Sequence, residues 1–229
     1  MAVIFFLPWV WTKKPLDIEG VCLLPYVRGK APDSIEGVTQ SDIDQVLGNY
    51  ADHGKHPTSS MGSSVANATI VHWTADGKNS SISEEEISER MKFAQWLILA
   101  GLSKRLYGFS SWRYCNSDGI ALMGQRFETG QAGAVSFDTR LRYGGCNMML
   151  SANRERPYFL RPIHVNDPLI VEFDIPLLKA LMQINDVELK QRIYDSVVMF
   201  NRANTDASEV PDHAEVVMMR VAFETLLNT

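Results

Sequence analysis

The chain opens on a nearly unbroken apolar run, Ala2 to Trp11, and a second run, Ile18 to Val27, follows with Pro25 near its end. Both are rich in β-branched and aromatic residues and bounded by Pro, Gly or charge, the pattern of buried strands. Val65 to Trp73 instead alternates, with Val65, Asn67, Thr69, Val71 and Trp73 set against Ala66, Ala68, Ile70 and His72. It predicts a third strand, closed by the turn dipeptide Asp76-Gly77. Between the second and third strands, Ser41-Asp-Ile-Asp44 starts a short helix through Tyr50, and Asp52 to Ser64 reads as a loop rich in Gly, Ser and His.

After Ser83 the period changes from two to between three and four. Ser83-Glu-Glu-Glu86 is a capping box whose acidic first turn also suits the helix dipole. From it Ile87, Met91, Ala94, Ile98 and Gly101 or Leu102 fall on one face of a helix to about Tyr107. Phe93, Trp96 and Leu97 widen that face, so the helix is expected to be buried on more than one side. Gly108 to Pro168 is irregular, with short apolar pieces at Gly133 to Phe137 and Cys146 to Leu150, and predicts strands and loops. Leu169 to Phe173 is a further strand. Pro176 then starts a short helix to Ile184, and Asn185 or Asp186 caps another in which Leu189, Ile193, Val197 and Phe200 recur. Pro211 opens the last helix, with Val216, Met219, Phe223 and Leu226 as its apolar stripe. The fold class expected is α+β: a β-rich region over residues 1–174 holding one long buried helix, then a helical segment over 175–229. Stopping at Asn228-Thr229, directly after an apolar Leu226-Leu227, that segment reads as an incomplete helical bundle, the front part of something longer.

Composition changes this picture in one respect. The 229 residues carry 22 Lys plus Arg against 27 Asp plus Glu, a net charge of -5, which excludes a wholesale polycation. The balance is uneven: Lys104 to Arg161 holds nine basic and four acidic side chains, leaving the flanks at -10. The same segment holds nine of the 22 aromatic residues, and Arg140, Arg142, Arg154, Arg156 and Arg161 cluster within it. Guanidinium forks match phosphate geometry and aromatic faces stack on unpaired bases, so these five Arg are the candidate surface for RNA or a nucleotide. The competing reading pairs each Arg with an acid of the flanks and buries the aromatics.

Other chemistry has less support. Three widely spaced cysteines, Cys22, Cys115 and Cys146, fit a reduced, cytoplasmic chain. The N-terminal apolar run is too short to span a membrane and lacks the basic residues that precede a signal sequence's apolar core. His53, His56 and His72 do not make a zinc site by spacing, and no phosphate-cradling or nucleophile-elbow motif occurs. No cofactor is expected.

In the last helices, Phe200-Asn-Arg-Ala-Asn204, Val210-Pro-Asp-His213 and Val216-Val-Met-Met-Arg-Val-Ala-Phe-Glu-Thr-Leu-Leu227 resemble the beginning of an Apea-like HEPN domain, over about 30 to 45 residues. The match to its Ala-x-Glu-x-Leu-Leu type motif is Ala222-Phe-Glu224-Thr-Leu-Leu227. The resemblance implies a helical bundle appended to a β-rich recognition region in an RNA-targeting, phage-defence-like protein, with Glu224 as the candidate catalytic-face residue. The Arg and His pair, four to six residues apart, that such ribonucleases carry does not occur in this chain. The expectation is therefore the recognition portion of a HEPN-type protein and not a complete nuclease. The alternative is a non-catalytic protein-binding or oligomerisation module, forming a homodimer through its C-terminal helices.

Overall fold

The computed structural model describes residues 2–30, 39–48, 50–51, 65–74, 82–107, 117, 119–129, 135–143, 147–149, 158–160, 169–205 and 210–228. Strands β1 (Ala2–Leu7), β2 (Val10–Trp11), β3 (Leu16–Ile18) and β4 (Val21–Val27) come first, then helix α1 (Gln40–Leu47), β5 (Tyr50–Ala51), β6 (Asn67–Trp73) and helix α2 (Glu84–Tyr107). Strands β7 (Leu122–Thr129), β8 (Val135–Tyr143), β9 (Asn147–Met149), β10 (Tyr158–Leu160) and β11 (Leu169–Ile170) follow. Helices α3 (Ile175–Met182), α4 (Val187–Arg202) and α5 (Asp212–Leu227) complete the order. The class is α+β, with strands leading and helices closing the chain.

The main sheet has six strands in the order β3-β4-β6-β1-β7-β8, every neighbour antiparallel. Each apolar run at the N-terminus contributes two strands where the hydrophobic pattern suggests one. The first breaks at Pro8-Trp9, and β2 leaves the sheet to pair in parallel with β11. Thr69 on β6 holds β2 in place, its hydroxyl donating to the Val10 carbonyl at 2.8 Å and accepting from the Thr12 N–H at 3.2 Å. The second run starts earlier than its apolar core, at Leu16, and folds over at Glu19-Gly20. Both residues have positive φ, 50° and 85°, as a two-residue hairpin turn of matching twist requires. Because β3 pairs only with Val21 to Leu23, Pro25 sits where no strand needs its missing N–H on that side.

Both faces of this sheet are covered. Phe5, Val71, Leu23 and Gly124 align across the ladders on the face that meets α2. A side chain at Gly124 would stand 3.2 Å from Met91 Sδ, so this is a close approach of strand to helix. Phe6, Ile70 and Met123 align on the opposite face, under α1 and β5, where the Phe6 and Tyr50 rings meet edge to face at 5.0 Å. Helix α1 begins one residue before Ser41, at Gln40, because Thr39 and Asp42 form its capping box, and it ends before Tyr50, which belongs to β5.

Helix α2 starts at the capping box read in the sequence: Glu86 N–H donates to Ser83 Oγ at 3.1 Å and Ser83 N–H to Glu86 at 2.9 Å. The bond from the Ser83 N–H, and then the Ser83 hydroxyl, hold the Glu86 carboxyl below its ordinary pKa. Ile87, Met91, Phe93, Ala94, Trp96, Leu97, Ile98, Ala100 and Leu102 are all buried, so α2 is enclosed on more than one side. Gly101 permits the tightest contact, since a β-carbon there would stand 2.5 Å from Ile120 Cδ1. Helices α3 and α4 lie against α2, and Leu178, Leu181 and Val197 belong to the same buried cluster as the sheet. The Trp96 and Tyr194 rings meet edge to face at 5.5 Å across α2 and α4. Helix α5 packs on α4 as the outermost layer.

Candidate functional site

Two of the five arginines fall in described strands. Arg140 and Arg142 stand at alternate positions of β8, opposite Gln125 and Met123, and share one face of a strand that forms an edge of the six-stranded sheet. Arg154, Arg156 and Arg161 lie outside the described residues, as do His53, His56 and the Asp76-Gly77 turn. Cys22 is free and half-buried on β4, and burial, with Asp17 nearby, pushes its thiol pKa up. Among the described residues no three His, Cys, Asp or Glu side chains stand close enough to hold a metal ion, and no helix is long and apolar enough to cross a membrane.

Glu224 projects from the outer half of α5 and is paired along its own helix, accepting from Arg220 Nε at 2.7 Å. It borders an open groove of about 900 Å³ between α4 and α5, which Glu188, Gln191 and Asp195 also line. Asn201, within the quoted Phe200-Asn-Arg stretch, turns inward. Its amide donates to the Gln95 backbone carbonyl at 2.9 Å and to Gln95 Oε1 at 2.8 Å, both groups buried, and so fixes α4 on α2. The two bonds satisfy its amide nitrogen, while its buried Oδ1 finds no partner among the described residues, and the donated bonds give Asn201 a structural task in the fold.

A second groove, of about 790 Å³, lies between the start of α2 and the α3–α4 junction, with Trp73, Phe93, Trp96 and Tyr194 in its walls. Several of its charged groups are engaged locally. Arg90 lies over the Trp73 and Phe5 rings at 5.1 and 5.8 Å from their centroids, Glu86 closes the capping box, and Lys92 pairs with Glu89.

The feature that stands apart is the outer face of α5. Val216 is 71% exposed, Val217 58%, Phe223 55% and Leu227 67%, whereas Ala222 is the one buried residue of the helix. The stripe expected to be buried, Val216, Met219, Phe223 and Leu226, is thus turned by roughly a quarter of the helix circumference away from the contact with α4. Ala222 makes that contact because its small side chain lets α5 approach until the Ser196 hydroxyl donates to the Ala222 carbonyl at 2.7 Å. Helical periodicity identified α5 as amphipathic; the Ser196–Ala222 contact, which decides which side is inward, has no signature in the pattern. Large exposed apolar patches are uncommon on monomers and often coincide with interaction surfaces.

Comparison of the chain with protein-family models, with curated proteins and with solved structures found no match in any of the three.

Proposed function

We propose that the chain is a non-catalytic interaction module, a β-rich body that presents a C-terminal helical pair for docking onto a protein surface. The observation that carries this reading is the exposed apolar row on α5, formed by side chains that cost free energy to leave in water. Polar replacement distinguishes it. Dilute protein should bind a hydrophobic dye such as anilinonaphthalene sulfonate, and the triple variant Val216→Ser, Phe223→Ser, Leu227→Ser should lose most of that fluorescence while keeping its circular dichroism. Unchanged dye binding in a folded triple variant would remove the reading.

A second reading is the recognition part of a HEPN-type RNA-targeting protein. What supports it is spacing alone: Arg140 and Arg142 stand two residues apart on edge strand β8, a separation that matches successive phosphates. Neutralising Arg140, Arg142 and Arg156 together should weaken RNA binding and flatten its dependence on salt; unchanged binding and salt slope would reject the sensor surface.

A further inference from the structure

The exposed row of α5 complements itself. Val216, Arg220, Phe223 and Leu227 follow one another at steps of four, three and four, all on the outer side, with Glu224 flanking the row beside Arg220. The two ends of the row are apolar and its middle carries a cation, an aromatic ring and an anion. We infer that a second copy of this chain covers the face, α5 lying antiparallel on the partner's α5 across a two-fold axis at the level of Val221 and Ala222. The inference rests on the interaction-module reading and names its partner.

An axis at that level sets Val216 opposite the partner's Leu227 at each end of the contact. In the middle it sets Arg220 opposite the partner's Phe223 and beside the partner's Glu224, where the guanidinium can stack on the ring and pair with the carboxylate. Isologous packing repeats each contact twice, so both apolar ends are covered and both Arg220 side chains find an anion. Arg220 is the only Lys or Arg on α5. A parallel arrangement in register would place it against the partner's Arg220, which disfavours that orientation by like-charge repulsion. The size of the surface sets the strength. A 16-residue helix is about 24 Å long, and contact along one such helix covers less than the roughly 800 Å² per partner of a standard interface. Reversible association in the micromolar range is therefore expected.

Charge reversal tests this between chains. Wild-type protein should show a concentration-dependent monomer–dimer equilibrium in analytical ultracentrifugation. Arg220→Glu and Glu224→Arg should each weaken self-association by about tenfold or more, since each sets like charges against the partner. An equimolar mixture of the two variants should restore dimers, because the two acidic side chains of one variant then face the two basic side chains of the other. Mixing leaves the like-charge pair within each helix unrepaired, so recovery can come only from contacts between chains. A wild type that stays monomeric into the hundreds of micromolar, or variants that mixing does not rescue, would overturn the second-copy inference. Dye binding by such a monomer would leave the interaction-module reading standing, and loss of dye binding would remove both.

Discussion

Tyr26 joins two layers of the molecule through one hydroxyl. The ring is buried on β4, and its O–H donates to Asp44 on α1, whose carboxylate is also approached by the Gly29 N–H at 3.5 Å. Burial first, and then the bond to Asp44, push the Tyr26 pKa well above the usual phenol value. The sign of the linkage follows. An unfolded tyrosine ionises near pH 10, and the folded one ionises later. Its stabilising contribution is therefore whole below about pH 10 and is lost as pH rises from there toward the folded value. Tyr26→Phe keeps the ring and leaves the Asp44 carboxylate without this donor, at a cost of roughly 1–3 kcal/mol at neutral pH. The variant should start lower and decline less steeply above about pH 10 than the wild type, measured as urea midpoints between neutral and alkaline pH. Parallel declines would show that Tyr26 is not the group responsible. Neither Tyr26 nor Asn201 was legible as a linking residue in the sequence. Each bonds to a residue that the fold brings near, Asp44 and Gln95, and no local spacing announces such a pair.

Elements were legible where their own ends carry the signal. The capping box at Ser83, the Pro near the start of α3 and the Asp186 cap of α4 act through residues three or four positions apart, so sequence reading locates them closely. Strand boundaries in the first apolar runs failed for the opposite reason. The Glu19-Gly20 turn lacks the Asn or Asp usual in such turns, so its charge and Gly did not announce a hairpin, and at Pro8-Trp9 hydrophobicity continues across the break. Strand β7 was expected only as an unspecified piece because Gly124 and Arg126 interrupt its alternation, whereas β8 does alternate, Val135, Phe137, Thr139, Leu141 and Tyr143 against Ser136, Asp138, Arg140 and Arg142, a legible pattern that was missed. Asp174 shows how a cap can also join elements. Its carboxylate caps α3 by accepting from the Leu177 N–H at 3.1 Å and accepts the Ser103 hydroxyl of α2 at 3.0 Å. Its own N–H donates to the Ala100 carbonyl at 3.1 Å. Asp174→Ala should therefore cost more than an ordinary cap deletion, about 2–3 kcal/mol against a usual 1. Asp174→Asn, which keeps an acceptor oxygen, should retain most of it. Equal losses for the two variants in denaturant unfolding would assign the effect to charge and not to the shared hydrogen bonds.

At the scale of the whole molecule, stability should fall off from the α2 core toward α5. Helix α2 is enclosed by the sheet on one side and by α3 and α4 on another, whereas α5 packs principally on α4, buries only Ala222, and starts at Pro211 without a side-chain cap. A helix with so little apolar burial opens at a fraction of the global unfolding free energy, because opening it exposes little surface that was not exposed already. Amide hydrogen exchange on dilute protein should thus be faster across the middle of α5 than across 91–102 of α2, by orders of magnitude. Raising the concentration into the range where two copies associate should slow exchange in α5, since mass action penalises every opening that uncovers the face the partner occupies. If α5 is as protected as α2 in dilute solution, its outer face is held by something within the chain, and the stripe Val216, Met219, Phe223 and Leu226 would be buried after all, as its periodicity suggests. If α5 is labile at every concentration, no second copy covers it.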